Sequence, residues 1–163
     1  MPKIIKQGNY LKYNGITCSM GNKKLDKSIL IFNLPSGKTC PNCKDCLSTC
    51  YARKAEKLYP SVLPCRESNY QSSLKSSFMD DMILIIDKAI KYGITAVRVH
   101  ESGDFYSFKY AMAWGSIADH FPRLKFFAYT KSPFIPVSKN SFNIRWAMDN
   151  QKIVIVNLSK GKI

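Results

Sequence analysis

The sequence predicts an α/β fold, either a partial (truncated) (β/α) barrel or an open, mostly parallel sheet, with a small N-terminal β element. Short apolar segments alternate with segments of helical periodicity, which is typical of βαβ units with parallel strands. Turn signals at Asn14-Gly15 and Gly21-Asn22 separate short apolar stretches near the N-terminus, as in a β hairpin. The 163 residues fit one domain, whereas a closed eight-stranded barrel typically needs about 250.

The first half of the chain is predicted to hold one parallel strand and two helices. The apolar run Ile29–Leu34 is a strand that leads into a cysteine-rich loop. Leu47–Tyr59 is a helix that begins inside this loop and ends at Pro60. A second helix, Ser68–Tyr92, has apolar residues at helical spacing and ends at Gly93.

Strands and helices alternate after Gly93. This order predicts right-handed βαβ units, with helices that cover a parallel sheet. The predicted elements are a strand at Thr95–Val99, a helix at Phe108–His120, a strand at Leu124–Tyr129, a helix at Phe142–Met148 and a strand at Ile153–Leu158.

Four cysteines lie close together in one loop, at Cys40, Cys43, Cys46 and Cys50. Thiolates at such intervals can converge on one soft metal centre, whereas cysteines that serve only as small core residues need not cluster. The loop therefore predicts a metal site, either an iron–sulfur cluster or structural zinc, which also takes four thiolates at short spacings. Disulfide pairing is the alternative, but dense pairing is typical of small secreted chains.

The composition points to anionic partners and away from membranes. Lys and Arg total 25 against 11 Asp and Glu, a formal charge of +14, which attracts nucleic acid, acidic proteins or phosphate-bearing ligands. The longest apolar run, Met82–Ile86, is far too short to span a bilayer. The N-terminal sequence MPKIIKQGNYLKYNG lacks the apolar segment of a signal peptide, so we expect a cytoplasmic protein.

Polar residues follow the predicted strands and define a candidate binding rim. The carboxyl ends of parallel strands face one crevice, and the cysteine loop follows such a strand. The residues predicted to line it and to bind a cofactor are His100, Glu101, Asp104, Thr130 and Lys131.

Each rim residue has a chemical role open to it. His100 and Glu101 can hydrogen-bond to sulfur, hold a ligand or move protons, and Lys131 and Lys160 can neutralise an anion. The alternative is that Glu101 and Asp104 cap the following helix and pair with lysines.

Four segments in a fixed order carry a family resemblance: LPSGKTC, CLSTCYARKAEKLYPSVLPCRESN, VRVHESGDFYS and KFFAYTKS, between Leu34 and Ser132. Together they resemble the phage gene-product-eighty-eight family and an iron–sulfur protein encoded by a virophage. They resemble more distantly the cluster-bearing half of radical S-adenosylmethionine enzymes. The resemblance implies a [4Fe–4S] cluster on a truncated (β/α) barrel, in a virus-encoded protein of the host cytoplasm.

The resemblance also implies which cysteines bind the cluster. The family pattern matches Cys40, Cys46 and Cys50, and three ligands would leave one iron open to substrate or S-adenosylmethionine. Cys43 as a fourth ligand would close the centre and favour electron transfer. Its spacing, C-x2-C-x3-C, departs from the C-x3-C-x2-C order of the radical enzymes. Cys65 is a further candidate ligand, and Cys18 is expected in the core.

We therefore expect a [4Fe–4S] redox protein that accepts electrons from a low-potential host carrier of the ferredoxin or flavodoxin type, whose acidic surface suits a basic partner. One alternative is a radical S-adenosylmethionine-like enzyme. Another is a zinc-stapled nucleic-acid-binding protein, whose aromatic residues stack on bases. Those residues would be Phe105, Tyr106, Phe126, Phe127 or Tyr129.

The remaining expectations concern partners. Nucleic acid should bind weakly at most, and no catalytic residue or substrate is predicted. A partial barrel has exposed sheet edges, and a homodimer is one arrangement that would cover them.

Overall fold

The computed structural model describes residues 3–43 and 46–136, together with the backbone of two strands at residues 142–147 and 153–157. Eight strands and four helices make up the regular structure of this part of the chain. The strands are β1 (Ile5–Gln7), β2 (Tyr10–Tyr13), β3 (Ile16–Met20), β4 (Ile29–Phe32), β5 (Ala96–Val99), β6 (Lys125–Thr130), β7 (Phe142–Ala147) and β8 (Ile153–Asn157). The helices are α1 (Tyr51–Leu58), α2 (Val62–Ser73), α3 (Phe78–Ile90) and α4 (Phe108–His120).

The strands form one open sheet in which they follow their chain order from β1 to β8. β1 to β4 pair antiparallel, β4 to β7 pair parallel, and β8 returns antiparallel beside β7. The predicted α/β class, the open sheet and the N-terminal β element are therefore confirmed. In the described part of the chain the sheet is mixed rather than mostly parallel, since three strand pairs are parallel and four are antiparallel.

The prediction of a helix at Phe142–Met148 was wrong, because residues 142–147 form β7. The sequence FNIRWA alternates apolar and polar residues with the period of two that suits a strand. Only residues 148–152 separate β7 from β8. A connection this short can join antiparallel strands, whereas a parallel pair needs a crossover of about a dozen residues or more. The final βαβ unit is therefore a hairpin.

The helices before β5 also differ from their predicted bounds. The helix predicted at Leu47–Tyr59 begins at Tyr51, with Cys50 as its N-cap residue. The single helix predicted at Ser68–Tyr92 was wrong, because two helices, α2 and α3, occupy this region. Residues 74–77, which separate them, belong to neither helix. Ser77 Oγ donates a hydrogen bond to Asp81 Oδ2 across 2.8 Å at the start of α3.

One face of the parallel strands packs against α3 and α4. In β6 the residues alternate between buried and partly or fully exposed, as expected for a sheet with one covered face. Phe32 on β4 contacts Phe78 and Trp114, with ring centroids 5.7 Å and 5.4 Å away. In the described part of the chain, no helix has the length and apolar character needed to cross a membrane.

A buried asparagine on α2 ties the N-terminal strands to the helical layer. Asn69 Oδ1 accepts a hydrogen bond from Thr17 N at 2.8 Å, and its Nδ2 donates to the carbonyls of Thr17 and Asn33 at 3.0 Å and 2.9 Å.

We expect Asn69→Ala to lower the free energy of unfolding by roughly 2–4 kcal/mol, because buried backbone groups lose their partners. Urea denaturation measures this, and the exposed Gln71→Ala on the same helix should stay within about 0.5 kcal/mol of wild type. Equal losses in both variants would contradict the assignment.

Candidate functional site

A cleft of about 190 Å³ lies at the carboxyl ends of β4, β5 and β6. All residues predicted for the metal site and the rim line it: Cys40, Cys43, Cys46, Cys50, His100, Glu101, Asp104, Thr130 and Lys131. The rule that parallel strand ends share a crevice therefore located this cleft correctly. Whether these residues bind a cofactor stays a prediction.

The last strand does not contribute to this rim. β8 runs antiparallel to β7, and its end at Asn157 pairs with Asn143 near the start of β7. The end of β8 therefore lies at the opposite end of the strands from the cleft, and the expectation that all strand ends share one rim was wrong for β8. Lys160 lies outside the described residues.

The cysteine loop is held against the sheet by backbone and side-chain hydrogen bonds. Asn42 Nδ2 donates to the carbonyl of Lys131 across 2.7 Å, which connects the loop to the end of β6. Thr39 Oγ1 donates to the carbonyl of Pro35 at 2.7 Å. A Cβ at Gly103 would lie 2.6 Å from both Leu34 Cβ and Thr39 Oγ1. Only glycine therefore allows the β5–α4 segment to approach the cysteine loop so closely.

The four loop cysteines are partly buried free thiols. Burial raises the pKa of Cys40 to about 12, although a backbone hydrogen bond with Gly37 opposes the shift. The unliganded thiol therefore keeps its proton at neutral pH. Cys50 is the N-cap residue of α1, and its side chain makes no hydrogen bond to the helix, so the sulfur does not satisfy any backbone N–H group of the first turn.

The other two cysteines lie apart from the cleft. Cys18 is fully buried on β3 within the hydrophobic core, which confirms its predicted core position. Burial raises its pKa strongly, and the charge of Cys65 adds to the shift. Cys65 on α2 does not line the cleft. Cys43, which does line it, is the better placed of the two candidate fourth ligands.

In the described part of the chain, no three Cys, His, Asp or Glu side chains converge tightly enough to bind one metal ion. A cubane iron–sulfur cluster has a different requirement, because each thiolate binds a different iron atom. Thiols distributed around a cleft suit that arrangement. The donor set, four cysteines on one cavity, therefore fits a cluster.

An asparagine at the end of β4 organises the segment after β5. Asn33 Oδ1 accepts hydrogen bonds from the backbone N–H groups of Glu101 and Ser102, at 2.7 Å and 3.0 Å. Ser102 also exchanges two bonds with the backbone of Leu34. His100 adopts a left-handed backbone conformation, with φ at 72°, which is unfavourable for a residue with a Cβ. The Asn33 and Leu34 contacts hold the chain in it.

His100 is buried within an aromatic cluster, with 3% of its surface exposed. Its Nε2 lies 2.7 Å from the hydroxyl of Tyr110. Burial lowers the pKa of His100 to about 3 and raises that of Tyr110 well above its usual value, so both groups are neutral. We assign the ring hydrogen to Nδ1, because the Tyr110 hydroxyl then has Nε2 as its acceptor. Nδ1 is buried without a partner in the described part of the chain.

Two carboxylates of the rim are engaged within the protein. Asp104 accepts hydrogen bonds from Thr130 Oγ1, from Lys131 N at 2.9 Å and from Phe105 N at 2.8 Å. Burial raises its pKa, and these hydrogen bonds oppose the shift. Asp104 thus fixes the end of β6 beside the cysteine loop.

Glu101 accepts a hydrogen bond from Asn22 Nδ2 at 2.7 Å and pairs with Arg98 at 3.4 Å. The alternative that Glu101 and Asp104 cap the following helix was wrong, since Ser107 is the N-cap residue of α4 and its Oγ accepts from Tyr110 N.

The sequence reasoning missed three residues that shape the site. Asn33 lies at a strand end, and the same rule that selected the rim could have found it. Arg98 is a charged residue within an apolar strand, and its guanidinium lies 5.3 Å from the centre of the Tyr129 ring. Arg98 Nε is buried without a partner among the described residues. Tyr51 donates a hydrogen bond to the carbonyl of Glu101 from the start of α1, and nothing in the sequence pattern indicates this.

Comparison with known proteins identifies phage relatives. The sequence profile of the gene product 88 family matches residues 3–154. A Gene 88 protein of Mycobacterium phage D29 is 27% identical over 147 residues, which covers 79% of this chain and 60% of that protein. A Gene 88 protein of Mycobacterium phage L5 is 29% identical over 109 residues, which covers 60% of this chain and 46% of that protein.

The chain thus spans 46% to 60% of the length of these two relatives. No solved structure matches it. Because the family profile covers most of the sequence, the chain belongs to the gene product 88 family.

Proposed function

We propose that this protein binds a [4Fe–4S] cluster in the cleft and carries electrons through it. The observation that supports this most directly is that four free thiols of one loop line a single cleft at the strand ends. Cys40, Cys46 and Cys50 would be ligands, with Cys43 as the fourth. When bound, the cluster would take up and release one electron at a potential tuned by its surroundings.

The chain's own residues provide an environment suited to an acceptor-rich group. His100 Nδ1, a donor in the tautomer assigned above, and Arg98 Nε are buried without partners in the described part of the chain, and unsatisfied buried donors are costly. Both residues line the cleft, and sulfide and thiolate sulfur atoms accept hydrogen bonds, so a cluster there would place acceptors beside these two side chains. Lys131, on the same cleft, would offset the negative charge of the thiolates.

Electron transfer is favoured over an open-iron enzyme for two reasons. A fourth cysteine lines the cleft, which suits a closed coordination sphere. The carboxylates of Glu101 and Asp104, which could bind a substrate amine, are already engaged by Arg98, Asn22 and backbone N–H groups. We therefore place the radical S-adenosylmethionine-like activity second.

The finer identity of the fold and the partner belongs to the same proposal. We infer that β4 to β7 represent a truncated (β/α) barrel, similar to the cluster-bearing half of the radical enzymes and to the virophage iron–sulfur protein. The electron donor would be a low-potential ferredoxin or flavodoxin of the host cytoplasm, whose acidic surface complements the charge of +14.

The decisive experiment is anaerobic purification followed by iron and sulfide analysis, visible absorption and electron paramagnetic resonance. We expect a brown protein with four irons and four sulfides per chain, as a cubane requires. A colourless protein that binds one zinc ion would instead favour the zinc-stapled nucleic-acid binder. An S-adenosylmethionine-dependent change in the spectrum of the reduced centre would favour the open-iron enzyme.

The residues around the cleft should tune the reduction potential. His100→Ala and Lys131→Ala are expected to retain iron and to lower the potential, because a hydrogen-bond donor or a positive charge stabilises the reduced, more negative state. A hydrogen bond worth about 1 kcal/mol corresponds to roughly 40 mV for one electron. Redox titration checks this, with Lys91→Ala as a control away from the cleft. Unchanged potentials in both rim variants would mean that neither residue faces the cluster.

A further inference from the structure

The first helix presents an unusually exposed surface beside the cleft. Ala52 is the one residue of α1 that is fully buried, while Tyr51 and Leu58 are 65% and 71% exposed. The cleft and this helix are continuous, since Cys50 caps α1 and Tyr51 lines the cleft. A protein bound to α1 would therefore lie next to the cysteine loop.

The exposed residues of α1 form one continuous stripe. At 3.6 residues per turn, consecutive residues are about 100° apart around the helix axis. On this spacing the inward positions Ala52 and Glu56 lie side by side. The remaining arc holds five exposed residues, which we name the α1 surface: Tyr51, Arg53, Lys54, Lys57 and Leu58.

The charged residues of the α1 surface, Arg53, Lys54 and Lys57, are all basic. Glu56 is the one acidic residue of the helix, and it faces inward, where it accepts hydrogen bonds from Ser36 N at 2.8 Å and from Arg66 Nη1 at 2.9 Å. Burial would raise the pKa of Glu56, but the hydrogen bonds from Ser36 and Arg66 outweigh it and lower the pKa. Glu56 is therefore ionised and internally neutralised.

Nearby acidic groups are likewise engaged. Glu67 pairs with Lys38, and Glu101 pairs with Arg98. By contrast, α3 mixes exposed Asp80 and Asp87 with its basic residues. The α1 surface therefore contains basic side chains and no acidic ones.

We propose that the α1 surface is the docking site of the acidic electron-carrier protein. This proposal rests on the proposed function, because it assigns a location to the partner of the cluster. Tyr and Arg are enriched in protein interfaces, and the α1 surface offers both, with exposed apolar side chains at its two ends and basic residues between them. Opposite charges accelerate encounter, and contact at Tyr51 brings the carrier's redox group to the mouth of the cleft.

A charge-reversal pair tests this surface. Lys54→Glu/Lys57→Glu changes two exposed side chains that make no contact with the cleft. Lys91→Glu/Lys125→Glu is the matched control, because it makes the same change in net charge with two exposed lysines away from the cleft, one at the C-terminal end of α3 and one at the first residue of β6. Anaerobic stopped-flow measures reduction of the cluster by a plant-type ferredoxin and by a flavodoxin, at low and at physiological salt. Photoreduced deazaflavin serves as a small, neutral reductant that needs no docking site.

At low salt we expect the α1 pair to slow reduction by either carrier about tenfold or more, and to weaken its salt dependence. The rate of reduction of the control pair should remain within about twofold of wild type, because its substitutions lie far from the α1 surface and salt screens their effect there. Reduction by deazaflavin should be the same in all three proteins. Equal slowing by both pairs, no slowing by either, or no reduction of the wild type by either carrier would overturn the proposal.

The same measurements distinguish failure of the docking proposal from failure of the proposed function. A wild-type protein that carries no cluster, or whose cluster deazaflavin does not reduce, refutes the proposed function. A cluster that deazaflavin reduces normally, with carrier rates unaffected by the α1 pair, refutes the docking site alone. If the α1 pair abolishes submicromolar binding of a single-stranded oligonucleotide at physiological salt and leaves carrier rates unchanged, the surface is a nucleic-acid site and the proposal fails.

Discussion

Replacing Cys40, Cys46 or Cys50 with alanine should abolish cluster incorporation, with iron and sulfide falling to background and the visible absorption lost. Each of these thiols lines the cleft, and with Cys43 as the fourth ligand every remaining loop thiol already binds an iron atom, so none is free to replace the lost one. Iron and sulfide analysis of the anaerobically purified variants measures the loss. A triple variant that retains wild-type iron and absorption would refute the ligand assignment.

The matched control for these variants is Cys65→Ala. Cys65 is a partly buried free thiol, as the loop cysteines are, but it lies on α2 away from the cleft. Its replacement should leave the iron content unchanged. Loss of iron in Cys65→Ala comparable to that in Cys46→Ala would mean that thiols outside the loop take part in binding.

Cys43→Ala distinguishes the closed centre from the open one. If Cys43 is the fourth ligand, its replacement should reduce the iron content, though less completely than replacement of the other three. A complete loss, equal to that of Cys46→Ala, would strengthen the closed four-thiolate arrangement and weaken the enzymatic alternative. Full retention of iron would favour three ligands and an open iron.

The position of the cleft is predictable from the sequence because it depends only on topology. Once the segments at 29–34, 95–99 and 124–129 are parallel strands, their carboxyl ends must meet, whatever side chains follow. All nine predicted rim and metal residues therefore line the same cleft. The detailed partners of each residue depend on side chains distant in sequence, such as Asn33 with Glu101 or Asn42 with Lys131. Periodicity in one segment carries no information about such pairs.

The prediction for the C-terminal part of the chain, a helix at Phe142–Met148, was wrong. The alternation of strands and helices earlier in the chain favoured another helix at 142–148, although the local period of two indicated a strand. The short connection to β8 was the informative signal, because it excludes a crossover. Because β8 runs antiparallel to β7, Asn157 lies beside the start of β7, at the strand ends opposite the cleft.

The stability of the protein should fall steeply below neutral pH because of one histidine. Burial lowers the pKa of His100 from 6.5 to about 3. Between these two values the unfolded chain binds a proton that the folded protein excludes, so acidification favours unfolding. His100 alone should therefore remove about 2 kcal/mol of the free energy of unfolding between pH 7 and pH 5, since each pH unit in this window is worth about 1.4 kcal/mol.

His100→Asn should abolish this component, and it is a suitable replacement because asparagine tolerates the left-handed backbone found at this position. The chain's second histidine, His120, is exposed and provides the matched control, since His120→Asn makes the same change of side chain outside the buried aromatic cluster. Urea denaturation of metal-free protein at pH 7 and pH 5, followed by circular dichroism, gives the difference for each variant. The readout is the change with pH rather than the absolute stability, so a general destabilisation by the substitution does not obscure it. A pH dependence in His100→Asn equal to that of wild type and of His120→Asn would show that the imidazole is accessible to protons in the folded protein, which would contradict its burial beside Tyr110.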